Sequence, residues 1–368
     1  MVIKAFNRNV IVVNYSPPFT SIYKYATEII QCLGDNGTLV NLAYSNKGGR
    51  WNSVHEGRTF SGVFKDITSA NVLMSPLCFR NAAKYIRSSR GSSMLLHYVH
   101  QNINPLMKLD DRTIVTVHDN PLTNFKEGIY LEAGGSTTRK IKISIYSKIQ
   151  ARTVRKYTSA ANVITHSNYV RNALIDFGFT GNISTIYPPV GTHFRQLKQS
   201  KQELRKKLGI PVEKKIVLSV STSQPRKNLP TVEKVMNFLG EDFFLVRIGQ
   251  KLNTGIAFSN VSNETVNEIY NASDVLLFPT LEEGFGSPLP EAFAVGLPVV
   301  ASNIPVILEI AGDSAIFVDP MDVQSIAESV KVAISEGQEL ARKGLARSNL
   351  FSYSRFCENL KVYYDSIR

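Results

Sequence analysis

Short apolar runs alternate with helix-like segments along the whole chain, and this alternation constrains the fold more than any other feature of the sequence. Apolar runs typical of strands lie at 10–15, 38–44, 70–75, 93–99, 113–119, 161–167, 215–221, 243–249, 274–280, 298–302 and 314–319. Runs this short, with few polar residues, favour parallel strands that are buried on both faces. A helical pattern at 21–33 follows the first run, as a crossover helix does in a βαβ unit. The predicted fold class is therefore α/β, with doubly wound Rossmann-like sheets.

The chain has 368 residues, which is more than one hydrophobic core usually serves, so two domains are expected. A Pro-Pro-Val-Gly turn at 188–191 precedes a polar, lysine-rich run, and this composition is typical of a linker. We therefore predict one Rossmann-like domain over 1–190 and a second over 196–351. Two such domains that face each other form a cleft at the carboxyl ends of their strands, where folds of this class bind ligands.

The final stretch of the chain, 352–368, is predicted to form one amphipathic helix. Its apolar residues recur at helical spacing, at Phe356, Leu360, Tyr363 and Ile367. A helix with one apolar face has to bury that face against other elements. We expect it to pack back on the first domain.

Several classes of protein are disfavoured by what the sequence lacks. The apolar runs fall short of the ~20 residues of a membrane helix and no cleavable leader is evident, so we expect a cytoplasmic protein. Cys32, Cys78 and Cys357 are scattered and odd in number, which favours free thiols over a disulfide framework. No Asp-x-Asp, His-x-His or His-Glu-x-x-His pattern occurs, so neither a metal nor another cofactor is expected.

The most specific segment, 278–312, leads from the end of a strand through two glycines into a helix. The glycines let the backbone approach a ligand closely, and Ser-Pro at the helix start predicts an N-cap at Ser287. The N-terminus of such a helix is a site for phosphate groups. Glu283 and Glu291 place carboxylates on either side of this turn, where they suit hydroxyl groups that flank a diphosphate. The residues assigned to this site are Glu283, Gly284, Phe285, Gly286, Ser287, Pro288 and Glu291.

Two glutamates eight positions apart around Gly-Phe-Gly-x-Pro resemble the signature of the retaining GT-B glycosyltransferases of family four. The resemblance continues through 299–330 and the closing helix, so it covers essentially the second half of the chain and parts of the first. It implies the GT-B fold and transfer of a sugar from a nucleoside diphosphate donor with retention of configuration. It also implies that Glu291 holds the ribose hydroxyls and that Glu283 holds hydroxyls of the transferred sugar.

A second element, 217–236, places Arg226 and Lys227 at a strand-to-helix turn. Two adjacent cations there neutralise a diphosphate leaving group, which is electrostatic catalysis. Relatives more often have an arginine about five residues before the lysine, where this chain has Thr222, so Arg226 is expected to supply that charge. The Pro-Arg-Lys-Asn sequence is similar to that of some mannosyltransferases.

Two further places in the first half are assigned to the site. His118 and Asp119 close a predicted strand, and the resemblance implies that His118 contacts a sugar hydroxyl or the reaction centre. Asp119 either contacts the acceptor or a phosphate, or only caps or orients the following turn. Many relatives have a Gly-Gly turn after the first strand, whereas this chain has none there. Thr20 or Ser21 is expected to cap the following helix and to offer donors to the acceptor or a phosphate.

The basic residues are concentrated in the first half of the chain. Residues 1–195 contain 23 Lys and Arg against 10 Asp and Glu, whereas 196–368 contain 19 against 20. Within 133–175 there are eight basic residues and no acidic one, and Lys148, Arg152 and Arg155 fall on one helical face. This face is either the solvated side of a domain helix or a docking surface for an anionic membrane or a phosphate-bearing lipid acceptor.

These patterns together predict a metal-independent glycosyltransferase. Its donor is GDP-mannose or a UDP-hexose, and its acceptor is a glycan or a lipid-linked sugar phosphate, the latter at the inner face of the membrane. Two alternatives stay open, a nucleotide-sugar epimerase of the same fold and a non-enzymatic protein that binds anionic surfaces or nucleic acid. Nucleic acid is not an expected partner, because no nucleic-acid-binding module is recognisable.

Overall fold

The computed structural model describes residues 6, 8–14, 20–41, 43–44, 50–55, 58–63, 94–100, 109–120 and 162–368. The described strands are β1 (Val10–Asn14), β2 (Gly37–Asn41), β3 (Ala43–Tyr44), β4 (Arg50–His55), β5 (Arg58–Val63), β6 (Leu95–Tyr98), β7 (Thr113–Val117), β8 (Asn162–Thr165), β9 (Ile183–Thr185), β10 (Lys215–Ser221), β11 (Phe243–Gly249), β12 (Ile256–Phe258), β13 (Val275–Phe278), β14 (Val299–Ser302) and β15 (Ile316–Val318). The described α-helices are α1 (Ser21–Leu33), α2 (Asn168–Asp176), α3 (Lys201–Leu208), α4 (Leu229–Leu239), α5 (Asn263–Ala272), α6 (Pro288–Val295), α7 (Pro305–Ala311), α8 (Val323–Ser335), α9 (Gly337–Ser348) and α10 (Tyr353–Ser366).

Two parallel six-stranded sheets form the centres of the two halves. The strand order is β2-β1-β6-β7-β8-β9 in the first sheet and β12-β11-β10-β13-β14-β15 in the second. A small antiparallel sheet, β3-β4-β5, accompanies the first. The predicted α/β class with two doubly wound sheets is therefore confirmed.

The second sheet is covered by apolar helices on both faces. One core cluster joins its strands to helices α5, α6 and α7, and another joins them to α4 and α8. Strand β10 illustrates why the apolar run formed a central strand, since Ile216, Val217 and Leu218 are all fully buried between these layers. The carboxyl ends of these strands meet at one edge, from which the functional loops extend.

Helix α10 packs on the first domain although it ends the chain. Phe356, Leu360, Tyr363, Tyr364 and Ile367 are buried in the same cluster as α1 and the first sheet. Tyr364 also binds the fully buried His97, with 2.6 Å between Oη and Nδ1. The first domain therefore combines residues from both ends of the described chain.

The backbone passes between the two domains twice. The first passage lies between β9 and α3, across the predicted boundary at 190–196, and the second lies at 349–353. The two passages touch, because the Val190 amide donates to the Phe351 carbonyl at 2.9 Å.

The expectation that all three cysteines remain free thiols is wrong for two of them. Cys32 on α1 and Cys357 on α10 form a disulfide, with their Cα atoms 5.5 Å apart. They are separated by 325 positions in the sequence, so only the packing of the last helix on the first brings them together. Cys78 lies outside the described residues.

Candidate active site

The loop 281–287, here called the glycine loop, joins the carboxyl end of β13 to helix α6. Gly286 has a φ of +87°, in the left-handed region that side chains rarely adopt, so a glycine is required there. Pro288 takes the first position of α6, as predicted. Ser287 precedes it with a helical backbone and makes no side-chain capping bond. Ser287 thus takes the predicted N-cap position, but its side chain does not cap α6, because a capping side chain reaches back from an extended backbone.

Glu283 lies at the centre of a buried ion cluster with both predicted cations. Arg226 Nη1 donates to Glu283 Oε2 at 2.8 Å, and Lys227 Nζ pairs with Oε1. Thr280 Oγ1 adds a hydrogen bond of 3.1 Å to Oε1. The Glu283 side chain is only 6% exposed, and such a buried carboxylate is tolerated because its charge is paired. The structure thus brings Glu283, Arg226 and Lys227 together, while their roles in catalysis remain predictions.

Asn228 fixes the turn that presents the two cations, a role that the sequence analysis missed. It has a φ of +54°, a conformation that asparagine tolerates better than most residues. Its Nδ2 donates to the carbonyls of Pro279 at 3.0 Å and Pro320 at 2.8 Å. The turn is therefore tied to the segment that follows β13. The Leu281 amide, at the start of the glycine loop, adds a hydrogen bond of 2.8 Å to the Arg226 carbonyl.

Glu291 lies in the first turn of α6 and is held by a tyrosine. Tyr270 on α5 is fully buried and its hydroxyl donates to Glu291 Oε2 at 2.6 Å. Burial raises the pKa of Glu291, while Lys24 of the first domain opposes this shift. Tyr270 was not predicted, because its position in a helix shows only an apolar pattern. The Glu291 carboxylate is thus held by Tyr270 as a hydrogen-bond acceptor close to the first domain. Its contact with ribose remains a prediction.

His118 and Asp119 meet the glycine loop across the domain boundary. A Cβ built at Gly284 would lie 2.8 Å from the His118 carbonyl carbon and 2.9 Å from Asp119 Cα, so the backbones of the two domains are in direct contact. Arg226 Nη2 lies 4.0 Å from Asp119 Oδ1. The predicted residues of the first domain therefore face the ion cluster of the second.

The protonation of His118 is influenced by its surroundings. Burial lowers its pKa, while Val99 and Asp119 oppose that shift. Its Nε2 lies 2.6 Å from the Val99 carbonyl, which can only accept, so neutral His118 carries its proton on Nε2. His118 is thus oriented by the end of β6, and its contact with a sugar hydroxyl remains a prediction.

The remaining predicted residues are placed as follows. Thr20 caps α1, since its Oγ1 accepts from the Tyr23 amide at 3.2 Å, and Ser21 is the exposed first residue of that helix. Their contacts with an acceptor or a phosphate remain predictions. The basic face predicted from Lys148, Arg152 and Arg155 lies outside the described residues.

A second contact between the domains, at the N-terminus of α2, was not predicted. Ser167 Oγ donates to the Gly284 carbonyl at 2.7 Å and also caps α2. Glu309 of α7 accepts from the amides of Asn168 at 2.7 Å and Tyr169 at 3.0 Å. A carboxylate is favoured at a helix N-terminus by the free amides and the helix dipole. This contact fixes the glycine loop against the first domain.

We expect Glu309→Ala to weaken this contact, because it leaves two helix amides and the Tyr187 hydroxyl without their acceptor. The melting midpoint should fall by about 2–6 °C, as measured by differential scanning calorimetry. Glu328→Ala, at an exposed position of α8, is the matched control and should change the midpoint by less than about 1 °C. Equal midpoints for the two variants would contradict this assignment.

Residues 200–345, which contain the glycine loop and both cations, match the family model of the glycosyl transferases group 1. This match covers most of the second domain. The O-antigen chain mannosyltransferase B of Escherichia coli is 34% identical over 96 residues, which cover 25% of this chain and 25% of that protein. The serotype-specific mannosyltransferase WbdA of Escherichia coli is 25% identical over 247 residues, 58% of this chain and 28% of that protein. The aligned part of this chain thus spans about a quarter of the length of each relative.

Solved structures extend the likeness to the whole chain. HepE from Anabaena, in complex with UDP and glucose, superposes with a TM-score of 0.72 at 14% identity, over 98% of this chain and 100% of that chain. At this identity the likeness shows the fold alone, and the predicted GT-B fold is confirmed. In the part of the chain that the structure describes, no helix has the length and hydropathy needed to cross a membrane.

Proposed function

We propose that this protein transfers a hexose from a nucleoside diphosphate sugar to a hydroxyl acceptor, with retention of configuration and without a metal ion. One observation carries the proposal. Glu283, Arg226 and Lys227 form one buried cluster beside the start of α6, and the loop that bears Glu283 touches the first domain at His118. An anion that enters this cluster meets two cations and a helix N-terminus, which is what a diphosphate leaving group requires.

The charges of the cluster indicate how the donor is activated. The diphosphate competes with the Glu283 carboxylate for Arg226 and Lys227, and the released carboxylate then accepts hydrogen bonds from hydroxyls of the transferred sugar. The two cations stabilise the charge that develops on the leaving phosphate as the sugar–phosphate bond breaks. They therefore take the part that a divalent cation plays in other transferases, and the sequence contains no Asp-x-Asp pattern to bind one.

Retention follows from substitution on one face of the sugar. The acceptor oxygen attacks the anomeric carbon from the side on which the diphosphate leaves, and the departing phosphate oxygen takes the acceptor's proton. This substitution needs no covalent intermediate on Glu283, whose released carboxylate instead accepts hydrogen bonds from the sugar hydroxyls. Neutral His118 donates through Nε2 to Val99 and serves to shape the sugar site rather than to transfer a proton.

The comparisons favour two donors. The two curated relatives described above are named mannosyltransferases, which favours GDP-mannose, whereas the structure of HepE contains UDP and glucose, which favours a UDP-hexose. One relative is named for an O-antigen chain, and this supports a glycan or a lipid-linked sugar phosphate as acceptor. We place the reaction in the cytoplasm, with the basic stretch of the first domain at the inner face of the membrane.

The donor is tested by measuring thermal shifts with a panel of GDP- and UDP-sugars, followed by turnover of those that stabilise the protein. Binding of a sugar nucleotide raises the melting midpoint because it favours the folded state. Turnover of none of the panel in the presence of glycan acceptors would overturn the proposal.

Glu283→Ala should lower kcat by at least ~100-fold, because it removes a contact to the transferred sugar. The Kd for the nucleoside diphosphate should stay within about threefold, since the two cations remain and lose their internal counter-ion. Lys227→Ala should weaken both transfer and diphosphate binding. Calorimetry and initial rates separate these effects, and Glu328→Ala is the exposed control. Full turnover by Glu283→Ala would contradict the assigned sugar contact.

A further inference from the structure

The second domain buries two arginines at opposite ends of one sheet. Arg205 on α3 and Arg247 in β11 are 6% and 0% exposed. Arg205 lies at the amino ends of β10 and β13, where its Nη2 donates to Asp274 Oδ2 at 2.6 Å. Asp274 also accepts from the Ile216 amide at 2.8 Å. The charge of Arg205 is therefore neutralised by a carboxylate, as is usual for buried ions.

Arg247 is satisfied only by neutral acceptors. Its Nε donates to the Gln250 carbonyl at 2.9 Å, and its Nη1 donates to Ser219 Oγ at 3.0 Å. Its Nη2 donates to the carbonyl of Ser221 at 3.0 Å and lies 3.4 Å from the hydroxyl of the same residue. Among the ion pairs formed by the described residues, none includes Arg247. The hydrogen bonds of this guanidinium are thus met by neutral groups, and no described carboxylate bonds to it directly.

The guanidinium lies at the carboxyl edge of the sheet. Ser221 is the last residue of β10 and begins the connection to Arg226 and Lys227, whereas Gln250 begins the loop after β11. A Cβ built at Gly249 would lie 3.2 Å from Arg247 Nη2, so the backbone packs directly over the charged group. Arg247 therefore joins the two loops that leave the edge at which α/β sheets bind nucleotides.

A buried cation without a counter-ion acts over a longer range than an exposed one. Burial lowers the pKa of Arg247, with Glu233 opposing, but an arginine side chain stays protonated at neutral pH. In a medium of low dielectric constant its field is poorly screened by water and salt. Burying such a charge is costly and Glu233 acts on it without an ion pair, so an anion bound at this edge of the sheet would complete its neutralisation.

We propose that Arg247 is a positioning residue for the nucleoside diphosphate, which it attracts through its buried charge while its hydrogen bonds tie the loops after β10 and β11 together. The inference rests on the proposed function, since it assigns a residue to the same donor site. This positioning role of Arg247 differs from a purely structural role in the ligands that it affects. A structural arginine affects every ligand of the site alike, whereas a buried charge affects a ligand in proportion to the ligand's own charge.

The test compares charged and uncharged ligands. We would measure Kd for UDP and GDP by calorimetry, and Kd for uridine and guanosine by ligand-observed NMR. Arg247→Met should weaken binding of the preferred diphosphate by about tenfold or more, but binding of its nucleoside by less than about threefold. Arg247→Lys keeps the charge and should keep the ratio of the two affinities within about threefold of wild type.

Two further variants make the outcome decisive. Arg247→Gln is a second neutral variant for the case that the Met variant does not fold. Arg205→Met removes a buried arginine whose charge is already neutralised, so it should lower the melting midpoint and leave the affinity ratio unchanged. An equal loss of diphosphate and nucleoside binding in the neutral variants overturns the inference and leaves the proposed function standing. Absence of UDP and GDP binding in the wild type overturns both.

Discussion

Gly284→Ala should lower kcat/KM for sugar transfer by at least ~100-fold while both domains stay folded. Gly284 does not have a left-handed backbone, so alanine is conformationally allowed there. The added Cβ would instead overlap the backbone of the opposite domain, 2.8 Å from the His118 carbonyl carbon and 2.9 Å from Asp119 Cα. Backbone atoms cannot rotate away as a flexible side chain does. Either the domains separate or the glycine loop shifts, and both displace Glu283 from the first domain.

Initial rates and small-angle scattering would separate these two responses. Separation of the domains increases the radius of gyration, whereas a shift of the loop leaves it unchanged. Gly337→Ala is the matched control, because a Cβ there meets Pro298 Cγ at an ordinary 3.4 Å and should leave kcat/KM unaltered. A Gly284→Ala enzyme with wild-type kcat/KM would show that the close contact at His118 is not needed for transfer.

Removal of residues 353–368 should prevent the first domain from folding. Helix α10 and the following Ile367 contribute five large side chains to that domain's core, and each stabilises it by ~1.5–3 kcal/mol. Their sum, about 10 kcal/mol, matches the whole free energy of unfolding of a typical domain. The truncated chain should therefore show one melting transition, from the second domain alone, in calorimetry.

Point variants on α10 test the same argument in an intact chain. Leu360→Ala empties a fully buried site and should cost about 2–5 kcal/mol, whereas Val362→Ala changes a side chain that is 66% exposed and should cost less than about 0.5 kcal/mol. The two positions lie two residues apart on one helix, so helix propensity affects both similarly. Equal losses of stability would show that α10 is not part of the first domain's core.

The elements with a strong local pattern were predictable from the sequence. The helix predicted at 21–33 and the strands predicted at 215–221 and 243–249 have the bounds that the structure gives them. In each of these elements the apolar residues recur with the period of a helix or a strand. The sequence of the element alone is therefore enough to predict it. The grouping of Glu283 with Arg226 and Lys227 was predictable for a related reason, since both loops leave the same edge of one parallel sheet.

Short strands at the sheet edges were missed. Strands β9 and β12 have three residues each and only intermediate burial, so no alternation is long enough to mark them. Strands β4 and β5 mix polar and apolar residues without a clear alternation and were likewise not predicted. Whether such a segment forms a strand depends on its pairing with a neighbouring strand more than on its own sequence.

Partners that are distant in sequence were not predictable from one chain. Ser167 and Gly284 are 117 positions apart, and nothing local marks the serine hydroxyl as a donor to the glycine loop. Tyr270 shows the same limit, because a tyrosine on an apolar helix face fits the core as well as it fits a bond to Glu291. The residue types indicate the chemistry of the site, whereas the three-dimensional fold determines which residues contact each other.

The place of α10 in the first domain has a consequence for biosynthesis. A ribosome completes the contiguous second domain, from α3 to α9, before it produces the helix that fills the first domain's core. The nascent first domain therefore exposes apolar surface around α1 for the whole time needed to translate the second, at ~5–20 residues per second. Chaperone contacts during translation should concentrate on that surface, and the half of the polypeptide made first should be the last to mature.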